Sequence, residues 1–175
     1  MVHAGAFFGS FLPALSDICA TDSKVKAYEP NPESFRCAQI TSAINDLTDT
    51  DLTKAALGSA EQQLPFAIED KQGKSLAGRS QFAASGTDKG TEIEVQVIRL
   101  DDHLDRNRPV SILHLDLEGH EQEALEGALD TLEQHRPLLV IETVPPDQFM
   151  ESNIFPLGYQ AFKSINGNTF YEVKK

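Results

Sequence analysis

The chain predicts an α/β fold, a mostly parallel sheet that closes with an antiparallel C-terminal hairpin, and three stretches carry that expectation. Val110 to Glu142 reads as strand, helix, strand: two short apolar runs, Val110 to Leu115 and Leu138 to Ile141, flank a segment of helical spacing, as in a parallel crossover. Near the start, a glycine-bearing turn hands a short strand to a helix, the Gly5 to Gly9 stretch. Near the end, Asn166-Gly167 separates two strand-like runs, Gly158 to Ser164 and Thr169 to Val173, which is a strong hairpin signal.

Taken in order, Met1 to Ala4 is the first expected strand, and Phe8, Phe11, Leu12, Leu15 and Ile18 form the apolar stripe of a helix after the turn. Val25 to Tyr28 is the second strand and ends in Glu29. Asn31 and Pro32 then supply the cap and first position of the next helix. Leu52 to Leu57 is an expected third strand, followed by Gly58 and Ser59. Pro65 to Ile68 and Thr91 to Ile98 are further strands, the latter turning Ile93, Val95 and Val97 inward. Between them Asp70 to Gly90, rich in Gly, Ser and Lys, is long enough to be a lid, a binding loop or a mobile connection. Asp101 and Asp102 cap a short helix. The helix from His120 to Leu132 presents Leu125, Ala128, Leu129 and Leu132 on one face. Acidic Glu121 and Glu123 open it and His135 and Arg136 follow its end, as the helix dipole favours.

Composition narrows the function. A chain of 175 residues, 40% hydrophobic and 24% charged, is ordinary for one globular domain. Its net charge of −12 opposes binding to nucleic acid or an anionic membrane, both of which select a basic footprint. Cys19 and Cys37, placed in two expected helices without metal-ligand spacing, read as reduced, buried thiols of a cytoplasmic protein, with a disulfide as the alternative. The apolar start lacks a basic leader and is broken by Gly5, Gly9 and Pro13, so no signal peptide is expected, and no run reaches transmembrane length.

Glu29, about twenty residues beyond the glycine turn, stands where nucleotide-binding sheets place the carboxylate that accepts from ribose hydroxyls. The dinucleotide fingerprint needs small residues against the pyrophosphate, but this turn carries Phe7 and Phe8. A nucleoside without phosphates, such as S-adenosylmethionine, needs the turn, the carboxylate and an apolar wall only.

The successive motifs VHAGAFFG, VKAYEPNPESF, ILHLDLEGHEQEALEGA and RPLLVIE resemble those of the FkbM-type S-adenosylmethionine-dependent methyltransferases, over nearly the whole chain. The resemblance implies a Rossmann-like class I fold with a seven-stranded sheet, occupying residues 1–175 as a single domain without the N-terminal segment usual in the family. It also implies that Gly5, Ala6 and Gly9 line the methionine part of the cofactor, Glu29 holds the ribose, Pro30 and Asn31 border the adenosine, and Gly58 lies near the adenine. Asp116 and Glu118 would face the methyl group and the acceptor. At two positions the chain departs from the family: His3 replaces the acidic residue at the head of the glycine loop, where it joins the expected cofactor site, and His114 replaces a lysine.

Methyl transfer asks mainly for positioning, plus a base for the hydroxyl proton. Asp116, Glu118 and His120 are the candidates, with Glu142 on the same rim of strand ends. No metal is expected. The acceptor is expected to be a sugar or small-metabolite hydroxyl, and the oligomeric state stays open, a homodimer included. A non-catalytic domain that keeps the fold is the alternative. An NAD-dependent oxidoreductase is disfavoured by Phe7, Phe8 and the terminal hairpin.

Overall fold

The computed structural model describes residues 1–76, 81–82, 90–105 and 107–174. A seven-stranded sheet in the order β10-β11-β9-β8-β1-β2-β3 forms its centre. The parallel part comprises β1 (Val2–Ala4), β2 (Val25–Tyr28), β3 (Thr50–Thr53), β8 (Ile112–Leu115) and β9 (Leu138–Ile141). The hairpin β10 (Tyr159–Ile165) and β11 (Asn168–Val173) closes it, β11 running antiparallel to β9. Asn166 and Gly167 both take positive φ, +49° and +85°, as a two-residue hairpin turn requires.

Strand alternation sorts the side chains. Val2, Ala4, Leu113, Leu115, Leu139 and Ile141 enter the main core with Tyr28, Leu57, Leu100, Leu125 and Leu132. A smaller core joins Ala6, Leu12, Val25, Ala27 and Ala38 under α1 (Leu12–Asp17) and α2 (Pro32–Ile44). Asn31 caps α2 as expected, its Oδ1 accepting from the backbone N–H of Glu33 and Ser34 at 3.0 and 3.2 Å, with Pro32 at the first helical position.

Several expectations change. The run 52–57 is not one strand: β3 ends at Thr53, Lys54 is exposed, and the buried Ala56–Leu57 is β4 of a second sheet. That second sheet, ordered β4-β7-β5-β6, adds β5 (Gln62–Ala67), β6 (Gln81–Phe82) and β7 (Glu92–Ile98). The helix expected over 120–132 is two, α4 (Glu121–Glu126) and α5 (Leu129–His135). It breaks at Gly127, where a Cβ would lie 2.0 Å from the Gly58 carbonyl oxygen. The α1 stripe is not a buried face: the helix has six residues, Leu12 is buried, and Phe8, Phe11 and Ile18 are exposed. Asp101, in α3 (Leu100–His103), caps α5 instead of its own helix, accepting from Asp130 N, Thr131 N and Thr131 Oγ1 at 3.1, 2.9 and 2.7 Å.

Cys19 lies past the end of α1 and Cys37 within α2; both are free and only half-buried, because each sits beside a core instead of inside it. Much of the expected 70–90 loop falls outside the described residues. No helix among those described is long and apolar enough to cross a membrane.

Candidate active site

Beyond the carboxyl ends of β1, β2 and β8 lies a small cavity of about 50 Å3. Parallel α/β sheets offer ligands this end. Glu29, Asp116, Glu118 and His120 give it polarity; Ala56, Leu57, Phe66 and Phe82 of the second sheet give it an apolar wall; Gly5, Phe7, Pro30 and Leu117 complete it.

The glycine turn builds the floor. Gly5 N and Ala6 N both donate to Tyr28 O at 3.0 Å, folding the turn over the end of β2. Gly5 has φ +88°, and a Cβ there would stand 1.9 Å from the Asp116 carbonyl oxygen, so glycine is required for the turn to meet the end of β8. The turn then delivers Phe7 N to Glu29 Oε2 at 2.8 Å, while Asn31 N donates to Oε1 at 2.9 Å. Glu29 is thereby fixed between two backbone donors with a lone pair left on each oxygen. Burial raises its pKa, the two N–H groups oppose that, and the Asp116 charge adds to it.

The opposite wall follows β8. Asp116 N donates to Ala4 O at 3.1 Å. Glu118 and Gly119 then take positive φ, +53° and +99°, and the loop is clamped by Glu121, whose carboxylate accepts from Leu117 N at 2.9 Å and Gly119 N at 3.0 Å. Glu121 is 1% exposed and was expected only as a first-turn helix residue; an acidic group that reaches back over a helix start was its sequence signal. Glu142 closes β9, its N–H bonding Leu115 O at 3.0 Å. One carboxylate oxygen each from Asp116, Glu118 and Glu142 falls within 4.8 Å of the others.

His120 is held by Glu123, at 3.4 Å from its Nδ1, and by the Phe82 ring, 4.1 Å between centroids. Its Nε2 is buried without a partner among the described residues. Burial pushes its pKa down, against the raising charges of Glu123 and Glu126, so the ring is neutral near pH 7.

Of the expected binding residues, Gly5, Glu29, Pro30 and Asp116 line the cavity, and Asn31 acts one step behind through Glu29. Ala6 is packed in the small core, and Gly9, at φ +78°, lets α1 approach α2, where a Cβ would meet Leu12 Cδ1 at 3.0 Å. Gly58 is likewise a packing position, wedged by Val97 and by Gly127. His3 is corrected: alternation along β1 turns it to the other side of the sheet, where it is fully buried and stacks on His114 at 4.8 Å. Burial, then the neighbouring His114, push its pKa down to about 3. Phe66 and Phe82 were missed because nothing local in the sequence says that a second sheet folds back over the rim.

A family model described as "Methyltransferase FkbM domain" matches residues 3–165. No curated protein matches the sequence. Among solved structures, the chain is similar to a methyltransferase FkbM from Methylobacillus flagellatus KT, with a TM-score of 0.67 and 18% identity over 98% of this chain. It spans 42% of that longer chain. A putative rRNA-methylase from Clostridium thermocellum has a TM-score of 0.51 at 12% identity, covering 97% of this chain and 82% of its own. An rRNA methylase from Streptococcus thermophilus has 0.50 at 14%, covering 99% and 86%. These likenesses agree with the sheet order; the family match over nearly the whole sequence decides membership, and the chain belongs to the FkbM methyltransferase domain family.

Proposed function

We propose that the protein is an S-adenosylmethionine-dependent methyltransferase that methylates a hydroxyl of a sugar or another small metabolite. The observation that carries this reading is Glu29: a buried carboxylate at the end of β2, held by two backbone donors and turned to an apolar-walled cavity. That arrangement fits a nucleoside, with the ribose hydroxyls donating to Glu29 and Pro30, Ala56 and Leu57 bordering the flat base. Phe7 at the turn leaves no bare backbone for a pyrophosphate, which disfavours a dinucleotide.

When bound, S-adenosylmethionine supplies a methyl group on a positively charged sulfur. The residues on the β8 side do the rest. Asp116 and Glu118 place negative charge beside the acceptor and orient its hydroxyl, and Asp116 takes the hydroxyl proton. The apolar wall excludes water from the transfer path. His120, packed against Phe82 with Nε2 shut in, serves as a wall more than as a base.

The net charge of −12 favours a small acceptor over RNA, although two structural neighbours are described as rRNA methylases. No metal takes part in this reading. Free Cys19 and Cys37 fit a reducing, cytoplasmic setting. The test is transfer of labelled methyl from S-adenosylmethionine to a panel of hydroxylated sugars and metabolites: a labelled product is expected. Binding of the cofactor without turnover of any member would favour the non-catalytic alternative.

A further inference from the structure

Adjacent parallel strands whose ends are in register deliver their next residues side by side. β8 and β9 pair Leu115 with Ile141, so Asp116 and Glu142 leave the sheet together, and a carboxylate oxygen of each lies within 4.8 Å of the other. Two ionised carboxylates this close repel each other, and a proton on one of them relieves the repulsion. Among the described residues, the titratable groups facing the pair are Glu118 and Glu121 from the β8–α4 segment, Glu29 from the end of β2, and His114 from within β8. None of these described groups is a lysine or arginine, and burial pushes His114 toward its neutral form.

We propose that Glu142 is a positioning residue for methyl transfer: its carboxylate, set beside that of Asp116, strengthens the hold of the pair on one proton, and the two groups act as a single base toward the acceptor hydroxyl. This rests on the reading of the cavity as a methyl-transfer site, which Asp116 and Glu118 line. Burial first, then the bond to Asp116 and its charge, push Glu142 up to about 7, with His114 opposing. Burial also raises Asp116. A lone exposed carboxyl gives up its proton near pH 4, roughly, and is a poor base at neutrality. The fully ionised pair regains one proton close to neutrality, where a general base is most effective. In the transfer the acceptor oxygen gains the methyl carbon while the carbon–sulfur bond breaks. The bonding electrons stay on sulfur as a neutral thioether. The hydroxyl proton passes to the ionised pair, is held between the two carboxylates, and is then lost to water.

Carbon-13 NMR of side-chain carboxyls across a pH series tests the pair without any acceptor. In the wild-type chain a carboxyl titration is expected at about pH 7. In Glu142→Gln the neutral-range step should vanish and Asp116 should titrate at least one unit lower; Asp116→Asn gives the reciprocal result if the first variant folds poorly. A neutral-range step absent from the wild type, or surviving in either folded variant, overturns the proposal. So does a step that Mg2+ at millimolar concentration displaces, since a cation and not a proton would then join the carboxylates. Calorimetry with S-adenosylhomocysteine on the wild type reports separately: failure to bind sinks the methyl-transfer reading and leaves the titration result standing.

Discussion

Removing the Glu29 side chain should separate binding from folding by amounts the structure sets. Glu29→Ala deletes the acceptor of Phe7 N at 2.8 Å and of Asn31 N at 2.9 Å. Hydrogen bonds to charged groups are worth about 1.5–3 kcal/mol each. Part of that loss is recovered, because the variant no longer buries a carboxylate, and Phe7 is open enough for its N–H to find water. A net stability loss of about 1–3 kcal/mol is expected in urea titrations. Binding should suffer more directly, since the ribose loses its charged acceptor: one such bond corresponds to a tenfold or larger fall in affinity for S-adenosylhomocysteine, about 1.4 kcal/mol or more, by calorimetry. Glu29→Gln should fall between, because its carbonyl still serves Asn31 N while its amide NH2 opposes the Phe7 N–H. Equal affinity in wild type and folded Glu29→Ala would refute the reasoning and remove Glu29 from the site.

Asp101→Ala, which strips the first turn of α5 of three bonds from Asp130 and Thr131 at a 4%-exposed position, should cost about 2–4 kcal/mol in urea unfolding; a loss below about 1 kcal/mol would contradict that capping role. His3, with its folded pKa depressed to about 3, contributes stability that is complete above its unfolded value of 6.5 and lost as pH falls from there toward 3. The slope is up to about 1.4 kcal/mol per pH unit. His3→Leu should therefore lose less stability than wild type between pH 7.5 and about 5 in matched denaturant titrations, and parallel losses would exclude His3 as the source. Asp116→Ala should lower the single-turnover chemical rate about a hundredfold or more, and His120→Ala less, because its Nε2 is closed in behind Phe82; the reverse order would move the base to His120.

What could be read from the sequence was what local chemistry decides. The Asn31–Pro32 cap and the Asn166–Gly167 turn follow from residues that bond within a few positions of themselves, and each stands where expected, as does the short strand Val25–Tyr28 between its turns. Glu29 was legible because a carboxylate at a strand end, at that distance from a glycine turn, has few structural reasons to be there. Long-range packing hid the rest. Nothing near residue 127 announces that its α-carbon must pass the Gly58 carbonyl, and nothing near 54 says that the chain changes sheets. His3 was assigned to the loop by its place in a motif, whereas strand alternation alone would have turned it away. Glu142 was seen on the rim, but its contact with Asp116 depends on the register of β8 against β9.

A crystal structure of the chain with S-adenosylhomocysteine tests the central claim most directly. The ribose hydroxyls should lie within hydrogen-bond distance of both Glu29 oxygens, the adenine against Pro30 and the Ala56–Leu57 wall, and the sulfur toward Asp116. A nucleoside seated elsewhere, or a cavity left empty at saturating ligand, would contradict the account.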